Sequence, residues 1–182
     1  MMPMSKRGRL QRGFSLIELA VVAVIVGLLA TALLNRIVFY QEQAEKTAME
    51  QNLGIMRSAL HLQISDLLVH GNMVGINRLV DQDPMSWLAE KPSNFAGEFY
   101  TPQPGIIAAG NWYFEMRTKN LIYLANNTEH LHTAPGESNK LRFKLQLVYN
   151  TSDASAPKNA ANSNDDVVAG VILVPVIPYK WF

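Results

Sequence analysis

The chain is polar and basic at first, turns almost wholly apolar at Phe14, settles into a helical rhythm, and ends in short alternating runs. From Phe14 to Leu34 there are 21 residues, and Glu18 is the only charge among them. At about 1.5 Å per residue such a helix spans roughly 32 Å, enough to cross a bilayer. No proline interrupts Asn35 to His70, and Gln41, Glu42, Gln43, Glu45 and Lys46 are good helix formers. Met49, Leu53, Met56, Leu60, Ile64 and Leu67 then recur at steps of 4, 3, 4, 4 and 3. That is the stripe of an amphipathic helix. Gly71-Asn72 supplies a stop. The pattern predicts one helix from about Phe14 to His70.

After residue 72 the rhythm changes. Residues 73–111 read as a connector punctuated by Asp83-Pro84, Lys91-Pro92, Thr101-Pro102, Pro104-Gly105 and Gly110-Asn111. A short helix over Pro84 to Glu90 is expected there, with Asp83 as N-cap and Pro84 at its first position. Trp112 to Arg117 and Leu121 to Asn126 flank Thr118-Lys119-Asn120 and predict a hairpin. Asn127 to Asn139 reads as a polar loop. Leu141 to Leu147 alternates strictly between apolar and polar, as a strand with one wet face does. Thr151 to Asp166 reads as a polar loop and Val167 to Ile177 as a last strand, its prolines placing it at a sheet edge. The expected fold class is α+β: a long N-terminal helix, half of it transmembrane, packed against a small antiparallel sheet. The expected divisions are a leader over 1–13, the membrane half of the helix over 14–34, its amphipathic half over 35–72, and a head over 73–182.

Charge sharpens this picture. The formal net charge is +1, but Lys6, Arg7, Arg9 and Arg12 give the leader +4, leaving the remainder with 12 basic and 15 acidic residues. The positive-inside rule keeps the leader cytoplasmic and sends the head across the membrane. A mildly acidic remainder has no general electrostatic reason to bind nucleic acid, and none is expected as a partner. With no cysteine there is no disulfide, thiolate metal site or cysteine nucleophile. An ordinary signal peptide with a small-residue site at Ala30-Thr31-Ala32 is the competing account of the first 34 residues. Glu18 argues against it, because a carboxylate in a span costs up to about 3 kcal/mol, which a disposable signal has no use for.

Arg12-Gly13-Phe14-Ser15-Leu16-Ile17-Glu18, followed by the apolar run with Gly27, resembles the class III signal of type IV pilins and type II secretion pseudopilins. The resemblance implies cleavage between Gly13 and Phe14 by prepilin peptidase, N-methylation of Phe14, and an assembly role for Glu18 as the fifth residue of the mature chain. It implies a ladle-shaped, non-enzymatic subunit that works with other pilin or pseudopilin subunits and an inner-membrane assembly platform. Membrane lipid would surround the helix before assembly. Many major pilins have a helix-breaking proline where this chain has Asn35, and many staple the C-terminal region with a disulfide. The departures favour a minor pilin or a pseudopilin, with its head periplasmic, and require another device to hold the C-terminal region. An adhesin or other binding module on the same anchor is the alternative. Cleavage after Ala32 would instead favour a periplasmic hydrolase.

Other chemistry is sparse. No nucleophile elbow, phosphate loop or dinucleotide fingerprint appears. His130 and His132 form an HxH near Glu129 and Glu137, and Asp153, Asp165 and Asp166 could offer oxygens to calcium, but neither set has a defined ligand spacing. No cofactor and no metal site is expected. His61 and His70 read as surface residues of the helix. Lys140, Arg142 and Lys144 share one face of a strand, and Tyr179 to Phe182 is expected to pack on the head.

Overall fold

A computed structural model describes residues 15–134, 136, 139–149 and 168–182. Gly13, Phe14, Glu137 and the loop with Asp153, Asp165 and Asp166 lie outside these residues. The chain separates into two compact units, Met1–Tyr40 and Gln41–Phe182. Helix α1, Leu16–Val69, contributes to both.

In the first unit α1 begins with Leu19 N–H donating to Ser15 O at 3.0 Å. Its apolar side chains face outward: Leu16, Leu28, Leu29, Leu33 and Leu34 are all more than 60% exposed. The helix is long and apolar enough to cross a membrane. It continues without a break through position 35, as the absence of proline requires.

In the second unit α1 turns amphipathic. Met49, Leu53, Met56 and Leu60 are buried, with Ile64 and Leu67 packed at the margin. Gly71 ends the helix with φ 66°, and Asn72 N–H reaches back to Leu67 O at 2.9 Å. The left-handed residue followed by a six-to-one hydrogen bond is the usual glycine stop.

The segment expected to be an irregular connector is more ordered than that. It holds α2 (Met73–Arg78), a 3-10 turn over Leu79–Asp81 and a second over Pro84–Trp87. Asp83 does cap the last turn, accepting from Met85 N–H at 3.0 Å with Pro84 next to it, but the turn ends at Trp87 rather than Glu90. The side chain of Asn72 caps α2 by accepting from Gly75 N–H at 2.9 Å. Asn72→Ala is expected to cost about 1 kcal/mol and Asn72→Gly a few tenths, measurable as faster amide exchange across α2. Gly75 sits where a Cβ would come within 2.7 Å of Leu67 Cδ2.

A strand, β1 (Phe95–Phe99), also lies in this segment. The five-stranded sheet runs β1-β2-β3-β5-β6, with β2 at Trp112–Glu115, β3 at Asn120–Leu124, β5 at Lys140–Tyr149 and β6 at Val168–Pro175. The pair β1/β2 is parallel and the remaining pairs are antiparallel, so the small, mostly antiparallel sheet is found as expected, with one parallel edge pair added. The hairpin holds, with Trp112 opposite Tyr123. Leu141, Phe143 and Leu145 of β5 face the helix as their alternation requires. Trp112 forms the centre of the core, its ring 4.8 Å from Tyr123 and 5.9 Å from Phe143. The other sheet face is covered too, where Phe99 and Ile107 pack on Tyr113, Ile122 and Leu124. Burial on both faces explains why β2 and β3 lack alternation in the sequence.

The loop expected over Asn127 to Asn139 holds β4 (Leu131–His132), which pairs antiparallel with β7 (Lys180–Trp181). The C-terminal residues therefore pack on the head, and Trp181 is buried.

Candidate functional site

Glu18 sits in the first turn of α1, exposed among exposed apolar side chains. A carboxylate there complements the helix macrodipole, whose positive end lies at the N-terminus. Its neighbours Ile17, Leu19, Val21 and Val22 are each more than 40% exposed, so Glu18 is the one charge on a largely apolar surface from Ser15 to Leu34. Gly27 lies further along this segment, with open space where a Cβ would be, and its carbonyl accepts from Thr31 Oγ1 at 2.9 Å.

The second unit carries a polar cluster that the sequence reading did not assign. The stripe of Met49 to Leu67, continued toward the N-terminus at the same spacing, lands on Glu45 and Glu42. Both face the head. Glu42 is fully buried. Its Oε1 accepts from His130 N–H and from the Trp181 indole, each at 2.9 Å, and its Oε2 accepts from His130 Nδ1 at 2.8 Å. Burial pushes the Glu42 carboxyl up, but the hydrogen bonds from His130 and Trp181, with the imidazole's charge, outweigh it and hold the carboxyl below its ordinary value. An ionised Glu42 requires the proton on His130 Nδ1, so that nitrogen is the donor.

Glu45, one turn on, accepts from Tyr123 Oη at 2.9 Å, Asn126 N–H at 2.6 Å, and the N–H and Nδ2 of Asn127 at 3.0 Å each. Burial, then the hydrogen bond and charge of Glu45, push the Tyr123 hydroxyl well up, which keeps it a donor. Lys46 Nζ donates to Trp181 O at 2.9 Å, and the Phe182 ring stacks on His130 with centroids 4.9 Å apart. Two consecutive turns of α1 thus tie down the β3–β4 loop and the C-terminal strand. This is the device that a chain without cysteine uses to hold its C-terminal region.

The HxH separates: His130 joins this cluster while His132 is exposed on β4. Ligand atoms of Glu42, Glu129 and His130 lie within 4.8 Å of one another. Both Glu42 oxygens already receive nitrogen donors, so hydrogen bonding accounts for the cluster. His61 is exposed on α1 and His70 in the turn just after it, and Lys140, Arg142 and Lys144 line the face of β5 turned from the core. The sequence signal for Glu42 and Glu45 was present: two acids in register with a core stripe are either misplaced or partnered.

No curated protein and no solved structure matches the chain. A family model for the prokaryotic N-terminal methylation motif matches residues 8–34. The match spans the basic segment, Gly13-Phe14, Glu18 and the apolar part of α1, and ends before the head. The chain therefore carries a prepilin-type N-terminal methylation motif on an apolar helix of membrane-anchor character, the arrangement of a type IV pilin-like or pseudopilin substrate of prepilin peptidase.

Proposed function

We propose that this protein is a minor pilin or pseudopilin, a structural subunit assembled through its N-terminal helix into a type IV pilus or a type II secretion pseudopilus. The observation that carries the reading is Glu18 in the first turn of an exposed apolar helix, within the methylation motif. Prepilin peptidase cuts between Gly13 and Phe14 and methylates the new amine. Before assembly the apolar part of α1 lies in the inner membrane, with the leader cytoplasmic and the head periplasmic. An assembly platform then moves the subunit into the filament, exchanging lipid contacts for helix contacts with other pilins. Glu18 meets the cationic amine of Phe14 on a neighbour, and this pairing sets axial register. The unbroken helix through position 35 supports the minor-pilin or pseudopilin assignment.

Intact mass from cells with and without prepilin peptidase tests this directly. The expected result is loss of residues 1–13 and gain of one methyl group, only where the peptidase is present. An unprocessed chain, or a cut near Ala32, would overturn it.

A further inference from the structure

The buried cluster around Glu42 has a property that is independent of filament assembly. Strands β4 and β7 are two residues each and form a sheet separate from the five-stranded one. A two-stranded ribbon of that length has no stability of its own in water. Inside it, Phe182 N–H donates to His130 O at 3.2 Å and the two rings stack. Among the described residues, its polar ties to α1 include the three donors aimed at Glu42 and the bond from Lys46 Nζ to Trp181 O. One carboxylate therefore carries most of the polar attachment of the strap, and it is fully buried while the His130 ring is 40% exposed.

We propose that Glu42 is a proton-operated latch: as an anion it holds the His130 segment and strand β7 against α1, and acid releases them as a unit while the five-stranded sheet stays folded. The physical reason lies in donor count. Among the described residues, the three groups hydrogen-bonded to Glu42 are all N–H donors: the His130 amide, the Trp181 indole and the His130 ring. His130 Nδ1 already directs its hydrogen at Glu42 and cannot accept one from the carboxyl. A protonated Glu42 must then turn an O–H toward donors while accepting more weakly from the rest. Burial prevents water from filling the gap unless the strap moves.

Titratable groups around the latch come from every element packed there. On α1 these are Glu45, committed to Tyr123, Asn126 and Asn127, and Lys46. Before β4 stands Glu129, within 4.8 Å of Glu42 and His130 at their ligand atoms. His132 on β4 and Lys180 on β7 are exposed. Among these, Glu42 alone is fully buried. A carboxyl held below its ordinary value of 4.5 contributes stability that is complete above that pH and is lost as the pH falls through the lower folded value. Release therefore belongs below about pH 4.5.

The test uses the full chain in detergent micelles, with the indole N–H signals of Trp87, Trp112 and Trp181 followed by NMR from pH 7 to pH 3. The expected result is loss of the hydrogen-bonded Trp181 signal, together with the His130 and Phe182 amides, at a pH where Trp112 and the β3 and β5 amides are unchanged. In Glu42→Gln the acid step should disappear, whereas Glu129→Gln and Glu45→Gln should keep it. Loss of Trp181 and Trp112 at one pH in the wild-type chain would overturn the latch without any variant. An acid step that survives in Glu42→Gln, or vanishes in Glu129→Gln, would assign the trigger elsewhere and overturn it equally.

Discussion

Glu18→Ala is expected to leave the chain inserted and its head folded but to reduce its incorporation into filaments at least about tenfold, the effect of losing roughly 1.4 kcal/mol per subunit contact. Glu18 is exposed in the first turn of α1 and is not among the residues that form the core of the head. Its removal therefore costs the head nothing. In the membrane the substitution is favourable, since a carboxylate in a span costs up to about 3 kcal/mol. In the proposed role, what disappears is the partner for a neighbour's N-terminal amine, a group with reference pKa about 7.7–8 and mostly charged at neutral pH. An amine brought into a helix bundle without that partner is a buried unpaired charge. Membrane fractionation should show normal levels, and sheared filaments should be depleted. Normal incorporation would remove the role assigned to Glu18. Glu18→Asp, one methylene shorter, should fall between.

Glu45→Ala is expected to lower the stability of the head by about 3 kcal/mol, the range found when one partner of a buried charge-assisted network is removed. Four donors lose their acceptor at once: the hydroxyl of buried Tyr123, two consecutive loop amides and the Asn127 side chain. Water can reach the loop amides, which limits the loss there, while Tyr123, only 3% exposed, loses the acceptor of its hydroxyl. Glu45→Gln keeps one acceptor oxygen but presents an NH2 to the other donors, so roughly half the loss should remain. Thermal unfolding followed by near-ultraviolet circular dichroism should show Glu45→Ala melting about 10 °C lower. A change below 1 kcal/mol would mean that the loop is held by packing alone.

The amphipathic stripe of α1 was legible because it is local. Helical spacing places Met49, Leu53, Met56 and Leu60 on one face whatever they pack against, and all four are buried. Strand β5 was legible for the same reason, since its alternation records one dry and one wet face. Strand β1 was not, because Phe95–Phe99 contains Gly97 at φ 114° and its register with β2 slips between Phe95 and Glu98. A short, bulged, parallel edge strand carries no period for a reader to find.

The sequence by itself determined the anchor, the motif that precedes it, the site of Glu18 and the helix face that receives the sheet. Each depends on residues within a few turns of one another, where backbone geometry converts spacing into position. Only the tertiary structure decided what Glu42 and Glu45 do. Their partners stand far away along the chain, Tyr123 78 residues from Glu45 and Trp181 139 residues from Glu42. No local rule brings such groups together. They meet because the sheet packs on the stripe, and burial then makes their hydrogen bonds obligatory.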